Sequence, residues 1–250
     1  VMEPIEPMYL EQLQKGEGNR QIVCFPYLGG HSQSFQPLVR ELPGVEMWAF
    51  TSPGHGLNTQ APLEHMQQLV ELYTSQLMNV IRPGSVLFGH SLGGISAYFV
   101  AHRLFQEVPD VARTLRIVLS ACNTPVECGM QNYDRMSDDQ LIDQLFSYEG
   151  LPQDLMNEKE LLYYFLPVIR ADFRMLESAA TLEYQPLSLP VLYLWGERDR
   201  TVSLQSALKW GRYFHTPMKL QTIREGSHMF MMHQPSMVAH YLTSFMTPDV

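Results

Sequence analysis

Gly89-His90-Ser91-Leu92-Gly93 follows the apolar run Val86-Leu87-Phe88 and precedes a helix-compatible run from Ile95 to Phe105. A G-x-S-x-G set between a strand and a helix is a nucleophile elbow: its serine sits on a sharp turn, and the glycines remove side chains that would collide there. Gly94 adds one more small residue beyond the turn. Such a turn exposes the Ser91 hydroxyl and aims the first N–H groups of the helix at whatever it attacks, the geometry that acyl transfer needs. The five residues alone also fit a glycine-rich turn with an incidental serine, so the reading depends on partners further along the chain.

In this strand-turn-helix context the partners follow in the order acid, then histidine, on loops after later strands. Val191-Leu192-Tyr193-Leu194-Trp195 reads as a buried parallel strand, and Gly196-Glu197-Arg198-Asp199 leaves its end. Asp199 is the candidate acid and Glu197 its rival; the shorter carboxylate on the loop crest suits a tight triad. Asp199 also fits a plain turn or cap ahead of Thr201-Val202-Ser203-Leu204. Lys219-Leu220-Gln221-Thr222-Ile223 reads as the last strand, and Arg224-Glu225-Gly226-Ser227-His228 turns off it. Of nine histidines, His228 alone directly follows that strand, which makes it the candidate base. His233, the nearest competitor, precedes Pro235, which opens a C-terminal helix.

A serine nucleophile needs two hydrogen-bond donors for the oxyanion. One is expected from the backbone N–H of Leu92, the residue after the nucleophile. The other is expected from the loop Pro26-Tyr27-Leu28-Gly29-Gly30-His31, which follows the strand Ile22-Val23-Cys24-Phe25; the N–H of Leu28 is the candidate. His31 could touch a substrate, but a turn histidine in solvent is the plainer reading.

Strands are predicted near 21–26, 46–51, 85–89, 116–121, 191–195 and 218–223, separated by crossovers long enough for helices. That alternation predicts one doubly wound, mostly parallel α/β sheet, with ligands at the carboxyl ends of the strands where the Ser91, Asp199 and His228 loops gather. Little room is left before residue 20 for extra antiparallel strands. The stretch from Gly129 to Leu187 is too long for one crossover helix. It holds a capping box at Ser137-Asp138-Asp139-Gln140, then Leu141, Ile142, Leu145 and Phe146 on one face, and Leu161-Leu162-Tyr163-Tyr164-Phe165-Leu166, apolar almost all round. Emerging between the serine and the acid, about residues 129–187 are expected to form a helical lid within a single 1–250 domain.

Five motifs in order now carry a resemblance: Cys24-Phe25-Pro26-Tyr27-Leu28-Gly29-Gly30, Ser52-Pro53-Gly54-His55-Gly56, Phe88-Gly89-His90-Ser91-Leu92-Gly93-Gly94, Leu166-Pro167-Val168-Ile169-Arg170-Ala171-Asp172 and Gly226-Ser227-His228-Met229-Phe230. From about residue 20 onward the chain resembles the type II thioesterases of nonribosomal peptide and polyketide synthesis, whose relatives include the stand-alone thioesterase of fatty-acid synthase. It departs where many members carry arginine after Pro-Gly, the place of His55, and where the elbow often has methionine, the place of Leu92. The resemblance implies an α/β-hydrolase fold and hydrolysis of acyl or aminoacyl groups from the phosphopantetheine arm of a carrier protein when a module is misloaded or stalled. It implies no metal or organic cofactor. Rivals on the same triad are a fatty acyl-chain-releasing thioesterase, a general carboxylesterase and an acyltransferase; an idle α/β-hydrolase-like binding protein need not retain all three triad members.

The composition, 45% hydrophobic and 17% charged over 250 residues, is that of a globular enzyme with one substantial core. A net charge of −9 disfavours nucleic acid as a partner. It also opposes an acidic carrier protein unless a local basic patch exists, for which Arg103, Arg113, Arg116, Arg170 and Arg174 are candidates. Cys24, Cys122 and Cys128 lack metal-type spacing and read as reduced core thiols. The acidic Met2-Glu3-Pro4-Ile5-Glu6-Pro7 predicts no secretory leader, and residues 86–102 contain the elbow and so no membrane span. A monomer in the cytoplasm is the expectation.

Overall fold

The continuous apolar runs become interior strands because a parallel sheet is covered on both faces. The computed structural model describes residues 8–149 and 158–246. One sheet holds β1 (Leu10–Gln14), β2 (Gln21–Phe25), β3 (Glu46–Phe50), β4 (Val86–His90), β5 (Arg116–Ser120), β6 (Val191–Gly196) and β7 (Lys219–Ile223), in the order β1-β3-β2-β4-β5-β6-β7. From β3 to β7 neighbouring strands are parallel, with Val23 opposite Leu87 and Leu119 opposite Tyr193.

The exception corrects the expectation for the N-terminal stretch. β1 pairs antiparallel with β3, Leu10 facing Phe50, so one antiparallel strand does fit before residue 20. Only Leu10 of Leu10-Glu11-Gln12-Leu13-Gln14 is buried. The strand is ordered by the open edge of β3 and not by an apolar run of its own, which is why the sequence pattern does not announce it.

Ten α-helices accompany the sheet among the described residues: α1 (Gln36–Glu41), α2 (Met66–Leu77), α3 (Leu92–Glu107), α4 (Pro109–Ala112), α5 (Pro125–Gly129), α6 (Asp138–Ser147), α7 (Lys159–Ser178), α8 (Leu204–Lys209), α9 (Phe230–His233) and α10 (Pro235–Met246). The two-residue period of the strands sorts the core into two layers. Val23, Phe25 and Leu87 point to the side holding Tyr73 of α2 and Tyr98 of α3; Ile22, Cys24, Val86 and Phe88 point to the side holding Leu38 of α1 and Leu242 of α10.

Helices α5, α6 and α7 lie between β5 and β6, on neighbouring strands. The capping box starts α6: the Ser137 hydroxyl accepts the Gln140 N–H at 3.3 Å, and the Ser137 N–H donates to the Gln140 side chain at 2.9 Å. Leu141 and Leu145 turn inward. On α7, Leu162, Leu166 and Phe173 are buried while Tyr164 is 76% and Phe165 49% exposed, so this helix is two-faced where the sequence reads as apolar all round. Arg170 fastens it to the Met136 carbonyl and Asp138, and Arg174 to Glu64 and Asp134. Residues 150–157 of the expected lid, and the acidic stretch Met2–Pro7, lie outside the described residues.

Candidate active site

Ser91 joins β4 to α3 with φ 53° and ψ −121°, a backbone conformation that side-chain-bearing residues rarely hold. Its own N–H donates to the Ser120 carbonyl at 2.8 Å, and its carbonyl accepts the Gly94 N–H at 2.9 Å. The flanking glycines are required by close approach: a Cβ on Gly89 would lie 2.1 Å from the Gly93 carbonyl oxygen, and one on Gly93 would lie 1.9 Å from that of Phe25. The strained turn therefore persists because the packing of α3 against β2 and β4 leaves no other path.

The loops after β6 and β7 deliver the other two residues to this turn. His228 Nε2 lies 3.1 Å from the Ser91 hydroxyl oxygen, and Nδ1 lies 3.0 Å from Asp199 Oδ2. Asp199 is also the turn residue that the plainer reading describes, since its Oδ1 accepts the N–H groups of Thr201 at 2.8 Å and Val202 at 3.0 Å. The two roles use separate oxygens, and the turn stops the carboxylate from rotating away from His228. Glu197 is elsewhere: exposed, it accepts the Glu225 N–H at 2.9 Å. His233 ends α9, and Pro235 opens α10.

Sequence reasoning gave His90 no role beyond filling the elbow. It is fully buried, with Nδ1 2.8 Å from the Ser120 hydroxyl and Nε2 2.9 Å from the His228 carbonyl. A carbonyl can only accept, so Nε2 carries the hydrogen and Nδ1 accepts from Ser120. Burial, reinforced by the nearby His228 ring, pushes the pKa of His90 down to about 3, so it is neutral under the backbone of His228. Nothing local could have revealed this, because G-x-S-x-G admits any residue at that position.

On the opposite flank of the elbow, Leu92 heads α3, so its N–H has no acceptor within the helix. The Leu28 N–H finds no acceptor among the described residues. Its neighbour does: the Gly29 N–H donates to Asp172 Oδ2 at 2.7 Å. The same oxygen lies 2.9 Å from His55 Nε2, while His55 Nδ1 lies 3.0 Å from the Pro53 carbonyl. Burial alone would lower the pKa of His55, but the Asp172 carboxylate and the backbone carbonyls outweigh it and push it up to about 9. Both residues stand in motifs visible in the sequence, yet neither could be given a function there. Between the Leu28 loop and the insertion opens a cavity of about 440 Å³, lined by Tyr27, His31, Leu145, Leu162 and Phe165 among others. A far smaller crevice reaches Ser91 itself, walled by Ile95, Cys122, Tyr133 and Tyr148; the two tyrosine hydroxyls are 2.8 Å apart, and the Tyr148 ring lies 5.1 Å from that of His228.

A nucleophile turn, a histidine and a carboxylate on a mostly parallel sheet define a class of hydrolases, and the sequence narrows it: residues 20–245 match the model of the thioesterase domain. The chain belongs to the thioesterase family. It is 26% identical over 193 residues to the gramicidin S biosynthesis protein GrsT of Aneurinibacillus migulanus, covering 76% of this chain and 75% of that protein. It is 26% identical over 231 residues to a probable cadicidin biosynthesis thioesterase of Streptomyces griseus, covering 92% of this chain but only 63% of that protein. Among solved structures, the type II thioesterase YbtT from the yersiniabactin NRPS/PKS biosynthetic pathway superposes with a TM-score of 0.82 at 25% identity, over 96% of this chain and 98% of that one. This thioesterase is thus an α/β-hydrolase that hydrolyses thioesters, similar to type II enzymes of peptide and polyketide assembly.

Other features of the thioesterase bear on its chemistry. Cys24, Cys122 and Cys128 are free and buried, and burial raises all three thiols, which removes them as nucleophiles near neutral pH. No helix among the described residues is long and apolar enough to cross a membrane. Four of the five candidate arginines are paired with carboxylates, Arg103 with Glu107, Arg113 with Asp110, Arg170 with Asp138 and Arg174 with Glu64 and Asp134; Arg116 bonds the Phe245 carbonyl and keeps its charge.

Proposed function

We propose that this thioesterase removes acyl and aminoacyl groups from the phosphopantetheine arm of carrier proteins, clearing misloaded or stalled synthetase and synthase modules, with Ser91, His228 and Asp199 as its triad. The observation that supports the triad most directly is the unbroken chain of contacts from the Ser91 hydroxyl through His228 to Asp199, at 3.1 and 3.0 Å. In this reading Ser91 Oγ attacks the thioester carbonyl carbon as its proton passes to His228 Nε2. Asp199 accepts from Nδ1–H, fixing the tautomer and stabilising the imidazolium. The carbonyl oxygen, now an oxyanion, takes hydrogen bonds from the N–H groups of Leu28 and Leu92. The carbon–sulfur bond breaks and the thiol leaves with the proton from His228. Water, deprotonated by His228, then opens the acyl-enzyme and frees the carboxylic acid. The scheme uses no metal or organic cofactor.

The carrier-bound substrate is supported by the names of the relatives and by the cavity beside Leu28, large enough for an extended acyl or pantetheine-like group. The insertion of residues 129–187 acts as a lid within a single α/β-hydrolase domain, a reading supported by Leu145 of α6 and Phe165 of α7 lining the cavity and by Tyr148, just after α6, and Leu176 of α7 lining the Ser91 crevice. We place the enzyme in the cytoplasm as a monomer, a setting that free buried thiols fit.

The triad does not distinguish a thioester from an oxygen ester, so selectivity has to come from binding remote from the reacting bond. The test compares one acyl group on a carrier protein, on coenzyme A and as a simple oxygen ester. A higher kcat/KM for the carrier-bound group is expected. Equal values for the two thioesters, with faster cleavage of the oxygen ester, would reject carrier-directed editing and leave a general hydrolase.

A further inference from the structure

Asp172 and His55 form a buried pair that the reaction scheme does not use. Asp172 projects from the lid helix α7, His55 from the turn after β3, and Gly29 from the loop after β2, so three distant parts of the chain meet at one carboxylate oxygen. Both side chains are nearly solvent-free, Asp172 at 2% and His55 at 5% exposure. Each ring nitrogen of His55 faces an acceptor, the Asp172 carboxylate on one side and the Pro53 carbonyl on the other. A neutral imidazole carries one N–H and can satisfy only one of them, so the geometry selects the imidazolium. The remaining charged or titratable neighbours come from other elements. His31 follows β2, with Glu11 of β1 acting on it, and Tyr73 of α2 hydrogen-bonds Ser52 at 2.7 Å beside the turn that carries His55.

We propose that Asp172 and His55 are positioning residues that pin the oxyanion loop to the lid helix, and that the pairing of the carboxylate with a histidine makes this pin releasable by alkali. The inference rests on the Leu28 N–H being an oxyanion donor. The peptide carrying that N–H and the peptide carrying the pinned Gly29 N–H meet at the Leu28 Cα, so holding one restricts rotation of the other. When His55 loses its proton, one of its two hydrogen bonds disappears and the carboxylate loses the only cation paired with it among the described residues. The carboxylate can then leave Gly29, and the Leu28 N–H is no longer aimed. A donor that acts on the transition state affects kcat and leaves substrate affinity nearly alone.

Two measurements test this. In the Ser91→Ala protein, which cannot turn over, the Gly29 amide proton is expected far downfield near neutral pH and to move upfield with a midpoint near 9, where the His55 value lies. A Gly29 amide that ignores pH overturns the pin whatever the fate of the serine assignment, and needs no variant at position 55. In the active enzyme, kcat should fall about tenfold from about pH 7.5 to about pH 10.5 while KM stays within about twofold. His55→Arg supplies a permanent cation and should abolish that fall; His55→Gln should show the low kcat already at neutral pH. A fall that persists unchanged in folded His55→Arg overturns the proposal.

Discussion

Ser91 is held in a conformation that its own side chain disfavours, and both the strain and the exposure of its hydroxyl come from the same pair of glycine contacts. In the proposed triad the three groups work as one unit, so Ser91→Ala should cost on the order of 10⁴-fold or more in kcat, with His228→Ala and Asp199→Asn adding little once the serine is gone. Glu197→Gln should be mild, since that carboxylate meets Glu225 and not His228. Steady-state thioester hydrolysis by the folded variants checks both statements. If Glu197→Gln proves the more damaging of the two acid variants, the carboxylate is misassigned. As candidates the three stand out in the sequence for two reasons: Ser91 and Asp199 follow apolar, buried strands, whereas His228 follows β7, of which only Ile223 is buried, and is marked only by its place after the last strand. The pairing of His55 with Asp172 does not, since the two stand 117 positions apart and neither neighbourhood names the other.

Helix α7 shows how an element divides its faces between stability and selectivity. Phe173 is fully buried, its ring 4.6 Å from that of Tyr133, whereas Phe165 is 49% exposed and lines the 440 Å³ cavity. Phe173→Ala should therefore cost roughly 3–5 kcal/mol of stability. Phe165→Ala should leave the melting temperature almost unchanged and alter the order of preference among acyl chain lengths. Melting curves paired with chain-length profiles decide between these faces; unchanged profiles for Phe165→Ala would leave the lid without its proposed contact. The sequence marks this helix only as an apolar run over Leu161–Leu166; its two faces, and which of them looks into a cavity, depend on the Leu28 loop, which lies far off in sequence. Strand β1 was illegible for another reason: its residues alternate without an apolar run, and the edge of β3 supplies the order.

For the molecule as a whole, two buried histidines oppose one another in their response to pH. His55 has a folded value of about 9 against an unpaired 6.5, so the stability it contributes is full below about pH 6.5 and is lost as pH rises toward 9. His90 has a folded value of about 3, so the unfolded chain takes up the proton first, and stability is full above about pH 6.5 and lost as pH falls toward 3. Together they place the stability maximum near pH 6.5, with His55→Arg flattening the alkaline side. Melting temperatures across that range test it, and a maximum above pH 9 would contradict it. The order of the sheet has a consequence for how such enzymes diversify. The insertion runs from β5 to its parallel neighbour β6 and so has to cross back to the other end of the strands, but its base closes before that crossing: a Cβ on Gly129 would lie 2.4 Å from the Cβ of Ala180. A foreign insertion could be grafted at that base without disturbing the strands that carry Ser91, Asp199 and His228, so substrate range can change by exchange of one cassette. Asp172 is the exception: it belongs to the cassette yet accepts the Gly29 N–H of the loop after β2, and a graft has to bring its own carboxylate to that point.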